Sequence, residues 1–126
     1  MYFSESEIHL AVRLRVAGLT WTPHAGHYVF DIDGLVKASS PFQAGVHLIS
    51  NANTMEQQVG RADNLHDKFA WLPIWADARA WLDQQDVPRQ AVVDALQDAL
   101  ENDRTDREAI YGLILETLER AADERA

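Results

Sequence analysis

The sequence predicts an α+β fold: an N-terminal helix, a small three-stranded antiparallel meander, and C-terminal helices packed on one face of the sheet. Three observations support this prediction. From residue 27 apolar and polar side chains alternate with the period of two that is typical of a half-buried strand. Residues 4–18 and 73–121 repeat their apolar side chains with helical spacing instead. Strands that are separated from helices along the chain indicate the α+β class.

The length and composition predict one domain that covers residues 1–126. The chain is 47% hydrophobic and 25% charged, which is ordinary for a globular protein. No stretch approaches the length of a membrane span, and residues 1–10 do not resemble a signal peptide. We therefore expect a cytoplasmic protein that does not enter a membrane. The absence of cysteine excludes disulfides, thiolate catalysis and cysteine-based zinc sites.

The net charge of −9 is concentrated in the C-terminal helices, since residues 83–126 contain 12 acidic and 5 basic residues. Nucleic-acid binding depends on clustered Lys and Arg that neutralise phosphates. We therefore expect no nucleic-acid partner. An acidic helical surface is either a solvated face or a docking face for a basic protein partner.

The first helix has a clear start and a clear stop. Ser4 and Glu7 are spaced as a capping box, in which each side chain binds the backbone amide of the other residue. Gly18 is suited to the position that ends the helix. Residues 19–26 then form a connector, in which Trp21 is expected to cover the edge of the sheet.

The first strand is predicted from residue 27, with Tyr28, Phe30 and Ile32 facing the helices. Asp33-Gly34 is a preferred pair for a two-residue hairpin turn, which predicts a second strand over residues 35–38. Residues 46–50 are short and apolar and predict the third strand.

The second half of the chain is predicted to be helical after an irregular segment, residues 51–70. Within that segment Thr54 and Gln57 could cap a short helix. Pro73 suits the first turn of a helix that begins near Trp71, and another helix runs from residue 88 to about residue 102. The sequence from Thr105 to Glu108 is a second capping box, which opens the last helix.

The segment FDIDGLV, residues 30–36, carries the only string that resembles a catalytic motif. It is similar to the first motif of the haloacid dehalogenase superfamily, D-x-D-G-T, with Leu35 in the place of Thr. The resemblance implies a parallel sheet and a magnesium-dependent phosphatase, in which Asp31 is the nucleophile and Asp33 the general acid/base. Only residues 37–45 separate this strand from the next, which is short for a parallel crossover. The hairpin is therefore the main prediction here, and the phosphatase is the alternative.

Histidines in the first half of the chain are candidates for a metal site. His24 and His27 lie in or next to the connector, and the fold could bring His47 to them. No spacing such as HExxH supports such a site. We therefore predict no metal, with these three histidines as the alternative.

Three tryptophans, Trp71, Trp75 and Trp81, lie within eleven residues. They could line a groove for a small ligand, or form part of the core or of a dimer interface. Tyr111 and Leu115 lie off the main apolar stripe of the last helix, which is a further indication of self-association.

The function predicted from these patterns is a non-enzymatic protein-interaction or regulatory module that needs no cofactor. We expect it to bind a protein partner or to form a homodimer through the tryptophan-bearing or C-terminal helix surfaces. The first alternative is the phosphatase that uses Asp31 and Asp33. The second is a small-ligand-binding domain with a pocket lined by Trp71, Trp75 and Trp81.

Overall fold

The computed structural model describes residues 2–36, 39–50 and 65–125 and confirms the α+β class. In chain order the elements of this part are α1 (Glu5–Val16), β1 (Tyr28–Asp31), β2 (Val46–Leu48), α2 (Leu65–Lys68), β3 (Phe69–Leu72), α3 (Trp75–Gln84), α4 (Arg89–Glu101) and α5 (Asp106–Arg125). None of the helices in the described ranges is long and apolar enough to cross a membrane. The predicted cap at Thr54 and Gln57 lies outside these ranges.

The three strands form an antiparallel sheet in the order β2-β1-β3. β1 pairs with β2 so that Val29 lies opposite His47, and it pairs with β3 so that Val29 also lies opposite Trp71. The predicted third strand is thus the direct partner of β1. The other partner, β3, comes from a segment that the sequence assigned to the irregular region and to the start of a helix. That helix, α3, begins only at Trp75.

The predicted hairpin at Asp33-Gly34 is wrong. Ile32 and Asp33 form a turn, and Leu35 and Val36 belong to no strand; Lys37 and Ala38 lie outside the described residues. The physical reason is the side chain of Asp31, whose two oxygens accept hydrogen bonds from the amides of Leu35 (2.9 Å) and Val36 (2.8 Å). These amides bind a carboxylate instead of a neighbouring strand, so the chain leaves β1 in a loop.

One face of the sheet packs against the helices, as predicted, but Ile32, which was predicted to share this face, lies exposed in the turn that follows β1. Tyr28 and Phe30 of β1 lie on this face, and helix α1 contacts both β3 and α5. Burying this much apolar surface is the main stabilising contribution to such a fold. The fully buried side chains of this core include Phe3, Leu14, Val46, Ala70, Leu72, Leu82, Tyr111 and Ile114.

The two predicted capping boxes are both present, and one buried carboxylate joins them. Glu7 is 1% exposed and accepts a hydrogen bond from the Ser4 amide at 2.9 Å, while its own amide donates to the Ser4 hydroxyl. The Thr105 hydroxyl, which caps α5, donates to the second carboxylate oxygen of Glu7 at 2.5 Å. Arg107 lies 3.5 Å from the same carboxylate. The starts of α1 and α5 are therefore held together by a paired, hydrogen-bonded charge.

The side chains that suggested self-association from the last helix are buried within the chain itself. Tyr111 is fully buried and Leu115 is 7% exposed. The Tyr111 hydroxyl donates a hydrogen bond of 2.6 Å to the backbone carbonyl of Pro73, just after β3. Neither side chain is available to a second copy, so this indication of a dimer was wrong.

Candidate binding cleft

A cleft of about 400 Å³ opens between the connector that precedes β1 and one side of α3. The connector contributes Trp21, His24 and His27, and Trp71 of β3 forms the inner wall. Asp77 and Trp81 come from α3, where a spacing of four residues places them on the same side of the helix. We call this feature the Trp–His cleft; its remaining lining residues are Thr20, Thr22, Ala80 and Gln84.

The register of the sheet brings these side chains together. Residues opposite each other in an antiparallel pair project to the same face, and residues two apart on one strand do so as well. Trp71 therefore shares a face with Val29 and, one pair further along, with His27. This face lies opposite the one that carries Tyr28 and Phe30; Leu65 of α2 packs on it with Val29, and α3 lies beside Trp71 at the cleft.

The rings on this face form one continuous aromatic surface. Trp21 stacks on Trp71 with ring centroids 5.7 Å apart and planes inclined by 10°. His27 lies 5.1 Å from Trp71 and 5.9 Å from Trp21. Such stacked and tilted arrangements are the favourable geometries for aromatic pairs. The connector is thereby fixed against β3 by ring contacts.

His27 is held in an environment that favours its neutral form. Burial lowers the pKa of His27, the carboxylate of Asp77 raises it, and the neighbouring His24 lowers it again. The His24 amide is 3.3 Å from Nδ1 of His27, a contact in which Nδ1 accepts and the ring hydrogen lies on Nε2. Among the residues of the described ranges that line the cleft, Asp77 is the only Asp, Glu, Lys or Arg.

The Trp71 side chain contains an unused hydrogen-bond donor. Its indole nitrogen Nε1 is buried and finds no acceptor in the described part of the chain. A buried donor without a partner costs about 1–3 kcal/mol. Such groups are uncommon in folded proteins and need a reason, of which a functional role is one.

The structure brings together two of the three predicted groove tryptophans. Trp71 and Trp81 line the cleft, whereas Trp75 is not among its lining residues. Trp71 also belongs to the main core, and Trp75 and Trp81 both pack against that core. Trp21, predicted only as a cover for the sheet edge, is a third lining ring. Its position next to His24 and His27 in a short connector was the only indication in the sequence that these rings might cluster.

The three candidate metal ligands are only partly brought together. The rings of His24 and His27 lie 5.6 Å apart at the cleft, whereas His47 lies on β2, opposite Val29. Within the described ranges no group of three or more His, Cys, Asp or Glu side chains is arranged to hold a metal ion.

Asp31 and Asp33 do not fit the magnesium site that the phosphatase resemblance implies. Both oxygens of Asp31 are occupied by backbone amides, and the side chain is 6% exposed. Asp33 is exposed in the following turn. The sheet is antiparallel, whereas the resemblance implies a parallel one. Asp31 acts in this structure as the anchor of a loop.

A second groove, of about 520 Å³, runs between α4 and α5. Its charged side chains already have partners: Arg104 forms an ion pair with Asp98, Arg120 lies near Glu116, and Glu108 belongs to the capping box of α5. Its floor is made of small residues such as Ala95 and Gly112. This groove therefore presents fewer unpaired polar groups than the Trp–His cleft.

The Trp–His cleft thus combines aromatic rings with the carboxylate of Asp77, and one of its walls is Trp71, whose buried indole nitrogen has no acceptor among the described residues. Its lining comes from three separate parts of the chain, so it exists only in the folded protein. No family model, curated protein or solved structure matches this chain.

Proposed function

We propose that the chain is a cytoplasmic, non-enzymatic binding module that holds a small organic ligand in the Trp–His cleft. The observation that carries this proposal is the convergence of Trp21, Trp71 and Trp81 with two histidines on one open cleft. Small-molecule sites are typically concave, rich in aromatic side chains, and equipped with a few polar groups that orient the ligand. The cleft volume of about 400 Å³ falls in the range of such sites.

The energetic support comes from the rings and from the polar groups beside them. An aromatic pair contributes about 0.5–1.5 kcal/mol beyond the area that it buries. Asp77 and Gln84 provide acceptors at the rim, and Nε1 of Trp71 is a donor without a partner in the described residues. The rings are already stacked on one another, so little ordering of side chains is needed when a ligand enters.

A fragment screen observed by ligand NMR, followed by titration of the tryptophan fluorescence, tests the proposal. Trp81→Leu removes a ring of the cleft, and Trp75→Leu removes a tryptophan of the same helix that lies outside it. We expect fragments that bind the wild type to bind Trp75→Leu equally and to lose about tenfold in affinity with Trp81→Leu. Equal binding to both variants, or no binding fragment at all, would overturn the proposal.

We further infer that α4 provides a surface for self-association, because two of its apolar side chains are exposed. Val93 is 45% exposed and Leu100 is 80% exposed. They are seven residues apart, which places them on the same side of the helix. Contiguous exposed apolar patches mark contact surfaces, and in this proposal Val93 and Leu100 contribute the apolar side chains of such a surface.

Light scattering after size exclusion tests this second proposal. We expect a concentration-dependent dimer that Leu100→Lys weakens. The control Gln85→Lys introduces the same charge at an exposed position outside α4 and should leave the dimer unchanged. A wild-type protein that stays monomeric at millimolar concentration would contradict it.

A further inference from the structure

We infer that the ligand of the Trp–His cleft is a small organic cation of the quaternary ammonium type. Asp77 would act as its counter-ion, and the tryptophan rings would contact its methyl groups. This inference rests on the proposed function and narrows it to one chemical class. Four independent features of the cleft and of the chain support it.

The first feature is the charge of the lining. Among the described lining residues, Asp77 is the only Asp, Glu, Lys or Arg, so this part of the lining presents a carboxylate and no permanent cation. A phosphate or carboxylate ligand would face this like charge at close range, which is unfavourable in a partly desolvated site. A cationic ligand would instead be attracted to the Asp77 carboxylate.

The second feature is the nature of the walls. The face of a tryptophan ring attracts a cation that lies within about 6 Å of its centroid, more strongly than the faces of Tyr or Phe. Trp21 and Trp81 are half-buried, so part of each ring remains accessible from the cleft. A quaternary ammonium group suits such walls, because it carries charge without hydrogen-bond donors and its methyl groups are apolar.

The third feature is the state of the imidazole next to Asp77. A protonated His27 would neutralise Asp77 and would compete with a cationic ligand. Burial and the neighbouring His24 both lower the pKa of His27, although Asp77 opposes them. At neutral pH the carboxylate is therefore left for the ligand.

The fourth feature is the field of the whole chain. The net charge of −9 attracts cations towards the protein and repels anions. Such fields raise the rate at which an oppositely charged ligand reaches its site, and the effect decreases with salt. The net charge therefore favours cationic ligands over anionic ones at long range, and it does not replace direct contacts in the cleft.

The test compares choline with its neutral carbon analogue, in which a tert-butyl group replaces trimethylammonium. The two probes have nearly the same shape, so a difference in affinity reports the charge. We expect the wild type to bind choline about tenfold more tightly than the analogue, as measured by NMR titration. Benzyltrimethylammonium, which adds a ring for stacking, is expected to bind more tightly still.

The variant Asp77→Asn removes the counter-ion and keeps the size of the side chain. We expect it to lower the affinity for choline about tenfold and to leave the neutral analogue unchanged. Asp83→Asn is the matched control, since Asp83 lies exposed on the same helix and outside the cleft. It should leave both affinities unchanged.

A measurement on the wild type alone keeps the inference testable if Asp77→Asn does not fold. Raising the ionic strength from about 0.01 M to about 1 M shortens the screening length from about 30 Å to about 3 Å. Binding of choline should weaken several-fold, whereas binding of the neutral analogue should not weaken.

The outcomes separate this inference from the proposal on which it rests. Equal binding of choline and the analogue, or preferential binding of an anionic fragment, would overturn the cation inference and leave the ligand-binding function standing. Failure of every fragment, neutral or charged, would overturn both. If the Asp77→Asn variant binds choline as tightly as the wild type does, Asp77 is not the counter-ion of the ligand.

Discussion

Alternate residues of the same strands project to the two faces of the small sheet, and the two faces differ in their role. One face forms part of the main core, and the other leads to the Trp–His cleft. On the face that meets the helices, Val46, Ala70 and Leu72 are completely buried and belong to the main core. On the opposite face, Val29 and Phe69 are also buried, but they form a separate, smaller cluster with Ile49 and Leu65. Trp71 lies on that face by its register opposite Val29, but its ring is buried in the main core and forms a wall of the Trp–His cleft.

The difference lies in what covers each face. Long helices cover the first face, and the apolar contacts extend from the sheet to α1 and α5. Among the described residues, the second face is covered by Leu65 of the short helix α2 and by Trp21 and Val36 of connecting segments. The helix-covered face should therefore dominate the stability of the fold, whereas the second face is free to carry polar and aromatic side chains for binding.

The largest effect is expected from Leu72→Ala, which acts on the helix-covered face. Leu72 has no exposed surface, and replacing a buried leucine with alanine costs about 2–5 kcal/mol. Equilibrium unfolding in urea should show this loss as a lower midpoint with an unchanged slope. Trp81→Leu, on the half-exposed wall of the cleft, is the comparison and should cost less. A smaller loss for Leu72→Ala than for Trp81→Leu would contradict the division of tasks between the two faces.

An intermediate effect is expected from Tyr111→Phe, which acts between the helices and the end of β3. The Tyr111 hydroxyl donates to the carbonyl of Pro73 at 2.6 Å, and burial raises the pKa of this hydroxyl, so it remains a donor. Removing it leaves a buried carbonyl without its partner and should cost about 1–2 kcal/mol. Urea unfolding measures the loss. If the variant is as stable as the wild type, the hydrogen bond does not contribute to stability.

Local features of the fold could be predicted from the sequence because they depend on neighbouring residues. The capping boxes at Ser4 and Thr105 require only residues three apart, and both are present. The alternation from Tyr28 to Asp31 likewise predicted which side chains of β1 face the helices. The end of α4 at Asn102 was predicted in the same way.

β3 could not be predicted, because all four of its residues are buried and the period of two is absent. A short apolar run of this kind looks the same in a buried strand and in a buried helix. Its pairing with β1, about forty residues earlier, is set by the whole fold. The hairpin prediction failed for a related reason: Asp31 binds the loop amides of Leu35 and Val36, and no pattern in the sequence reveals a side chain that replaces a strand partner.

The cleft could be predicted only in part. The cluster of tryptophans indicated a ligand groove, and Trp71 and Trp81 belong to it. Trp21 and His27 come from the connector that precedes β1 and Asp77 comes from α3, so only the pairing of β1 with β3 and the packing of α3 place them together. Residue types can therefore suggest that such a site exists, whereas long-range contacts in the fold determine which residues line it.

The smallest effect is expected for His27, on the cleft side of the sheet. Its titration contributes to the pH dependence of the free energy of unfolding. In the unfolded chain this histidine titrates near its ordinary pKa of 6.5, whereas burial and His24 lower the pKa in the folded protein more than Asp77 raises it. Below pH 6.5 the unfolded state therefore binds a proton that the folded state does not bind. This part of the stability is fully present above pH 6.5 and decreases as the pH falls towards the lowered pKa.

Two variants test this effect from opposite directions. His27→Gln removes the titrating group, so its urea midpoint should fall less than that of the wild type when the pH is lowered from about 7.5 to about 5. Asp77→Asn removes the carboxylate that raises the pKa of His27, so its midpoint should fall more. Because His27→Gln and the wild type share all other titrating groups, the difference between these two proteins isolates the contribution of His27. Parallel pH profiles for all three proteins would show that the pKa of His27 is the same in the folded and unfolded chain. The inference that His27 is neutral beside Asp77 would then be contradicted.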